Sequence, residues 1–260
     1  MVCLDDELSC SLIEDLASRC AWEGALVVGP PEKVARALRG IEDCALAAIT
    51  PGDEGQSPEA IKEAKRRCGS HVLLGLSGKG RLAAFPVPRP RTFEPLSQDA
   101  PLLVAARTGD ELSLVLEAVR RLWELGERPR LAILTPIEEC PRSPLIVCIS
   151  TPDAEVIAWA ASAALLPGES YLADHALLAA AAHLRPSILV GYGELDERLS
   201  GLDVIRASAS PEGVAEALLS LYQGYEARRR GERELVHQVP DLAGDAARLC
   251  ELLGGRGRNA

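Results

Sequence analysis

LLVAARTGDELSLVLEAVRRLWELGERPRLAIL, residues Leu102–Leu134, carries the rhythm that sets the fold class. It opens on a short apolar run that ends in Arg107 and closes on a second run, Leu131–Leu134. Between them Leu114, Val115, Ala118, Val119 and Leu122 recur at helical spacing, so Asp110–Leu125 is expected to be a helix with one buried face. Two strands joined through a helix form the unit of a parallel sheet, because a parallel return needs a crossover of that length.

The alternation continues outward in both directions. Downstream, Leu145–Ile149, Ala163–Leu166, Ser187–Val190 and Asp203–Ile205 read as strands. Asp153–Ala161, Ala173–His183, Pro211–Arg230 and Asp241–Leu253 read as helices. Upstream, Ala25–Val28, Ala45–Ile49 and His71–Leu76 read as strands, with helices at Glu32–Leu38 and Pro58–Arg67. The expected fold is α/β, with Rossmann-like parallel sheets and helices on both faces. Pro86, Pro88, Pro90, Pro95 and Pro101 exclude a central strand or helix, so 86–101 reads as a stiff linker. A small α/β domain (1–85) is expected before it and a larger one (102–235) after it. A helix within 236–253 is expected to pack back, followed by a frayed tail at 254–260.

A net charge of −10 argues against a general nucleic-acid binder, which needs a positive face for phosphates. The densest basic run, Arg228–Arg230, is diluted by Glu226, Glu232 and Glu234. The least charged stretches, Val156–Gly168 and Ala176–Leu184, fall short of the ~20 residues that cross a bilayer. Eight cysteines show no pair at zinc-knuckle or redox spacing, and Asp5, Asp6 and Glu7 interrupt any leader-like apolar core. A reducing cytoplasm, with the thiols as small buried apolar groups, is the expectation. His175 and His183 stand eight residues apart, too far to share one metal unaided, and no metal or cofactor is expected. Gly75–Arg81 lacks the Walker spacing, and Gly191 and Gly193 lack the third glycine of a dinucleotide fingerprint.

The order of segments is more specific than any one of them. AAFPVPRPRTFEP (83–95) precedes LLVAAR (102–107), and DAEVIAWAASAALLPGES (153–170) precedes HALLAAAAHLRPSILV (175–190). The turn GYGE (191–194) and the run SPEGVAEALLSLYQGYEARRRGERE (210–234) complete the succession. Over roughly 150 of the 260 residues this order resembles the donor-binding domain of family 4 retaining glycosyltransferases of the GT-B class. The resemblance implies a second, acceptor-type domain, here reduced to the first 83 residues, and a nucleotide or nucleotide-sugar ligand.

By that resemblance Arg107 matches the arginine that neutralises the donor diphosphate, where a guanidinium fork suits phosphate oxygens. Glu169, after Pro167 and Gly168, matches the carboxylate that contacts the transferred sugar. The chain also departs from the pattern. No lysine follows Arg107, where Thr108-Gly109-Asp110-Glu111-Leu112 stands instead. The second carboxylate would fall on Leu177 or Ala179. Leu184 and Arg185 replace a glycine turn before Pro186, and Arg185 is a conceivable substitute phosphate contact. Three readings stay open: an active glycosyltransferase, an inactive relative acting as a nucleotide-binding or regulatory partner of another protein, and an unrelated α/β protein.

Overall fold

The computed structural model describes residues 1–5, 10, 13–14, 17–18, 20, 22–50, 58–77, 100–135, 140–149, 161–183, 185–195, 197–199, 201–224 and 243–254. Most of the linker at 86–101, the helix expected at Asp153–Ala161, the Arg228–Arg230 cluster and the tail after 254 lie outside them. The chain divides into two units, Met1–Pro86 with Asp241–Ala260, and Val87–Pro240.

The first unit holds a four-stranded parallel sheet in the order β1-β2-β3-β4. Its strands are β1 (Val2–Cys3), β2 (Ala25–Gly29), β3 (Cys44–Ile49) and β4 (Cys68–Leu73). Helices α1 (Pro31–Leu38) and α2 (Pro58–Arg67) connect β2 to β3 and β3 to β4, and pack on each other. Each opens on a proline, whose missing N–H costs nothing in the first turn. Val34, Ala35 and Leu38 of α1 meet Ala60 and Ala64 of α2 over Val27, Ala47 and Ile49. The strand expected at His71–Leu76 begins three residues earlier, at Cys68. Cys68, Gly69 and Ser70 carry little apolar signal, and they form strand because Cys68 and Ser70 pair with Cys44 and Leu46 of β3.

The second unit holds a six-stranded parallel sheet in the order β10-β9-β8-β5-β6-β7. These strands are β5 (Leu102–Ala105), β6 (Leu131–Leu134), β7 (Ile146–Ile149), β8 (Ala163–Leu166), β9 (Ser187–Val190) and β10 (Val204–Ala207). Helix α3 (Gly109–Glu124) follows β5, α4 (Tyr171–Ala182) follows β8 and α5 (Pro211–Gln223) follows β10. Alternate strand residues (Leu102, Val104, Ile133, Leu165, Ile188) face α3 and α5, whose Val115, Val119, Leu122, Val214 and Leu218 complete that core. Helix α4 lies on β8, β5 and β9 from the other face, and all twelve of its residues are buried. A last helix, α6 (Ala243–Gly254), belongs to the first unit and packs on β3 and β4.

All eight cysteines are paired, which corrects the expectation of free thiols: Cys3–Cys10, Cys20–Cys250, Cys44–Cys68 and Cys140–Cys148. Spacing could not reveal the second pair, whose members are 230 residues apart. The third joins register partners on neighbouring strands, a relation that exists only once the sheet has formed. No described helix is long and apolar enough to cross a membrane.

Candidate functional site

The strand order of the second unit locates the site. From β5 the sheet grows one way through β6 and β7 and the other way through β8, β9 and β10. Connections therefore diverge at the carboxyl ends of β5 and β8, the switch point at which open parallel sheets form a ligand crevice. The loop after β5 carries Arg107, and the loop after β8 carries Gly168 and Glu169. Both loops thus emerge side by side at one edge of the sheet, since β5 and β8 are paired and parallel.

Thr108 is the N-cap of α3, its backbone extended and its side chain accepting from the Glu111 N–H at 3.2 Å. Glu111 turns back to close a capping box: its Oε2 accepts from the Thr108 N–H at 3.3 Å and from the Arg107 N–H at 2.6 Å. The same carboxylate lies against the opposing loop. A Cβ built on Gly168 would sit 3.0 Å from the Glu111 Cδ and closer still to its Oε1, so a side chain there would push the end of Glu111 aside. Ser170 caps α4 in turn, accepting from the Ala173 N–H at 3.1 Å.

The crevice is more acidic than the sequence foretold. Asp174, in the first turn of α4, is fully buried. Tyr192, in the loop after β9, is 8% exposed, and its hydroxyl interacts with the Asp174 carboxylate. Burial first, and then the negative charges of Asp174, Glu169 and Glu111, push the Tyr192 hydroxyl well above its ordinary pKa. All three carboxylates act on that one phenol, and Asp174 also hydrogen-bonds to it. Tyr171, also buried, is raised by burial and then by Asp174.

Gly191, at φ +69°, lets the chain turn sharply off β9. The Arg206 guanidinium then pins that loop, donating to the Tyr192 carbonyl at 2.9 Å and to the Gly193 carbonyl at 3.0 Å. A cavity of about 440 Å³ adjoins the loop, lined by Glu194, Leu195, Glu197, Leu199, Leu202, Val204 and Arg206.

Arg185 requires a correction. It precedes β9, and every strand of the sheet runs parallel, so it stands at the amino-terminal edge while Arg107 and Glu169 stand at the carboxyl edge. Its burial at 5% exposure further removes it from a surface role in the crevice. Leu177 and Ala179, the positions of the expected second carboxylate, are fully buried apolar residues of α4. Glu111, Asp174 and Tyr192 escaped the sequence reading. A lone aspartate in the otherwise apolar run YLADHALLAAAA was the available signal for one of them. No group of three or more His, Cys, Asp or Glu among the described residues is placed to hold a metal ion.

Comparisons with known proteins agree with this architecture at the level of fold. No protein-family model matches the chain, and no curated protein matches it. Among solved structures, a mutant S. aureus TarM, determined with fondaparinux, α-GlcNAc-glycerol and UDP, matches with a TM-score of 0.54 and 10% identity. That match covers 80% of this chain and 50% of TarM, so the chain spans half the length of that protein. A Listeria monocytogenes protein assigned as a UDP-N-acetylglucosamine 2-epimerase matches with a TM-score of 0.52 and 12% identity, over 96% of this chain and 77% of that one. A glycosyltransferase from Rickettsia africae matches with a TM-score of 0.51 and 9% identity, over 88% and 81%. The fold is thus α/β with two Rossmann-like parallel sheets, as in GT-B glycosyltransferases, and the first sheet is the smaller.

Proposed function

We propose that this chain is a glycosyltransferase-like protein that binds a nucleotide sugar in the crevice between the β5 and β8 loops. The observation that carries the reading is the reversal of strand order at β5/β8, with Arg107 on one lip and Gly168 and Glu169 on the other. Ligands of open parallel sheets collect at such a point, and a phosphate there meets the N-terminus of the helix that follows the central strand. In the family 4-like reading Arg107 faces the donor phosphates, and Glu169 accepts hydrogen bonds from sugar hydroxyls. Two neighbours of the same fold are associated with uridine diphosphate or its sugar, TarM and the Listeria protein, which supports a donor of that class.

A thermal-shift and calorimetry screen against UDP, ADP, GDP and their sugars tests this. The expected result is stabilisation by at least one of them, lost in Arg107→Ala. Absence of stabilisation by any nucleotide at millimolar concentration overturns it. Slow hydrolysis of the bound donor separates transfer from binding alone.

A further inference from the structure

We infer that Arg206 is a positioning residue of the crevice, which holds Tyr192 as a strut between the loop after β9 and the first turn of α4. The inference rests on the nucleotide-sugar reading and deepens it, because it adds a third wall to the two lips that carry Arg107 and Glu169. Arg206 lies on the edge strand β10, where it is the register partner of Leu189. Its neighbours Ile205 and Ala207 pack toward α3 and α5, so the alternation of the strand turns the Arg206 stem to the α4 side. The guanidinium reaches past the end of β9, where Nη1 donates to the Tyr192 and Gly193 carbonyls at 2.9 and 3.0 Å. Nη2 donates to the Gly193 carbonyl as well, at 3.0 Å. Two successive carbonyls are thus aimed at one cation. A planar fork fixes their direction, which a rotating ammonium does not.

Tyr192 is held at its other end as well. It is buried, and its hydroxyl hydrogen-bonds to Asp174, itself fully buried in the first turn of α4. Glu169 directly precedes the Ser170 cap of that helix, so the strut ends beside the lip that carries it. Gly191, at φ +69°, lets the chain swing off β9 toward this position but does not hold it there. The hold comes from Arg206, an exposed side chain outside the apolar core. Its removal therefore frees the loop without opening a cavity in the sheet.

The test uses the full chain with Arg206→Ala, Arg206→Lys and Tyr192→Phe, and reads two signals. Alkaline difference absorbance counts the phenols that ionise near about pH 10 while the protein stays folded. Arg206→Ala is expected to show one such phenol more than wild type. Adding Tyr192→Phe to Arg206→Ala removes it, and Arg206→Lys restores most of the wild-type behaviour. Calorimetry gives the affinity for UDP-N-acetylglucosamine, expected to fall about 10-fold in Arg206→Ala and less than about threefold in Arg206→Lys. An unchanged phenol count in Arg206→Ala overturns the inference, and so does an extra phenol that survives Tyr192→Phe. An extra phenol with unchanged affinity for a sugar nucleotide that wild type binds overturns the role in the crevice. If the extra phenol appears while neither wild type nor any variant binds UDP or UDP-N-acetylglucosamine, the strut stands and the nucleotide-sugar reading falls.

Discussion

The two sheets of this chain are built from the same strand–helix unit, yet among the described strands only the second sheet reverses its order. In the first unit the strands follow in sequence, β1-β2-β3-β4, so every connection advances the same way and none diverge. In the second unit the order reverses at β5, and two loops part to leave a space between them. Chemistry-bearing residues gather accordingly: Arg107, Glu111, Gly168, Glu169, Asp174 and Tyr192 all belong to the second unit. Strand order, more than composition, decides where a parallel sheet can bind.

The units also differ in what holds them. The first unit buries alanine- and valine-sized residues between its sheet and α1/α2, with Leu26, Leu46, Leu74 and Leu76 also fully buried, and it carries three of the four disulfides. Cys20–Cys250 ties α6 to the opposite end of the chain. The second unit has a continuous core across six strands and two helices, and only Cys140–Cys148 beside its edge strand β7. A smaller sheet buries less apolar area, and cross-links add to its stability by restricting the unfolded chain.

The largest expected effect is therefore reduction. Closing a loop of this length is worth about 5 kcal/mol in the chain-entropy account, so replacing Cys20 and Cys250 by serine should lower Tm by roughly 10–20 °C. Calorimetry with and without reductant checks it. A melting curve indifferent to reductant would erase the contrast between the units.

Next comes Leu122→Ala, at a fully buried position of α3. It should cost roughly 2–5 kcal/mol, equally in oxidised and reduced protein, because packing and not cross-linking supports the second unit. Denaturant midpoints under both conditions measure this. Thr108→Ala removes the N-cap of α3 and should cost about 0.5–2 kcal/mol, visible in the same experiment.

The smallest expected effects depend on pH and run in opposite directions in the two units. Burial, and then the Lys65 ammonium, hold the pKa of His71 below its ordinary value, so the folded first unit keeps the imidazole neutral. The unfolded chain gains a proton as pH falls through about 6.5, and stability is lost below that point until the folded pKa is passed. Tyr171 and Tyr192 are raised, so the folded second unit keeps its phenols protonated. The unfolded chain releases those protons above about pH 10, and stability falls from there upward. Urea midpoints at pH 5.5, 7.5 and 10.5 read both slopes, and His71→Gln should flatten only the acid one.

Much of this was legible in the sequence. Apolar runs of four to six residues and helical periodicity depend only on neighbours along the chain, so β5, β6, α3, β8 and β9 emerge from it within a residue or two. The segment order likewise pointed to Arg107, Gly168 and Glu169 as strand-end residues. The start of β4 at Cys68 was not legible, because its pairing with β3 and not its own apolar character makes it strand.

By itself the sequence determined the α/β class, the strand–helix units and the two loops that carry charged residues. The tertiary structure alone decided the disulfide partners, the exclusion of Arg185 and the presence of Glu111 in the crevice. Pairing order and the spatial meeting of distant loops are long-range properties. A parallel sheet can be threaded in several orders with identical local patterns, and only the chosen order places Glu111 against Gly168.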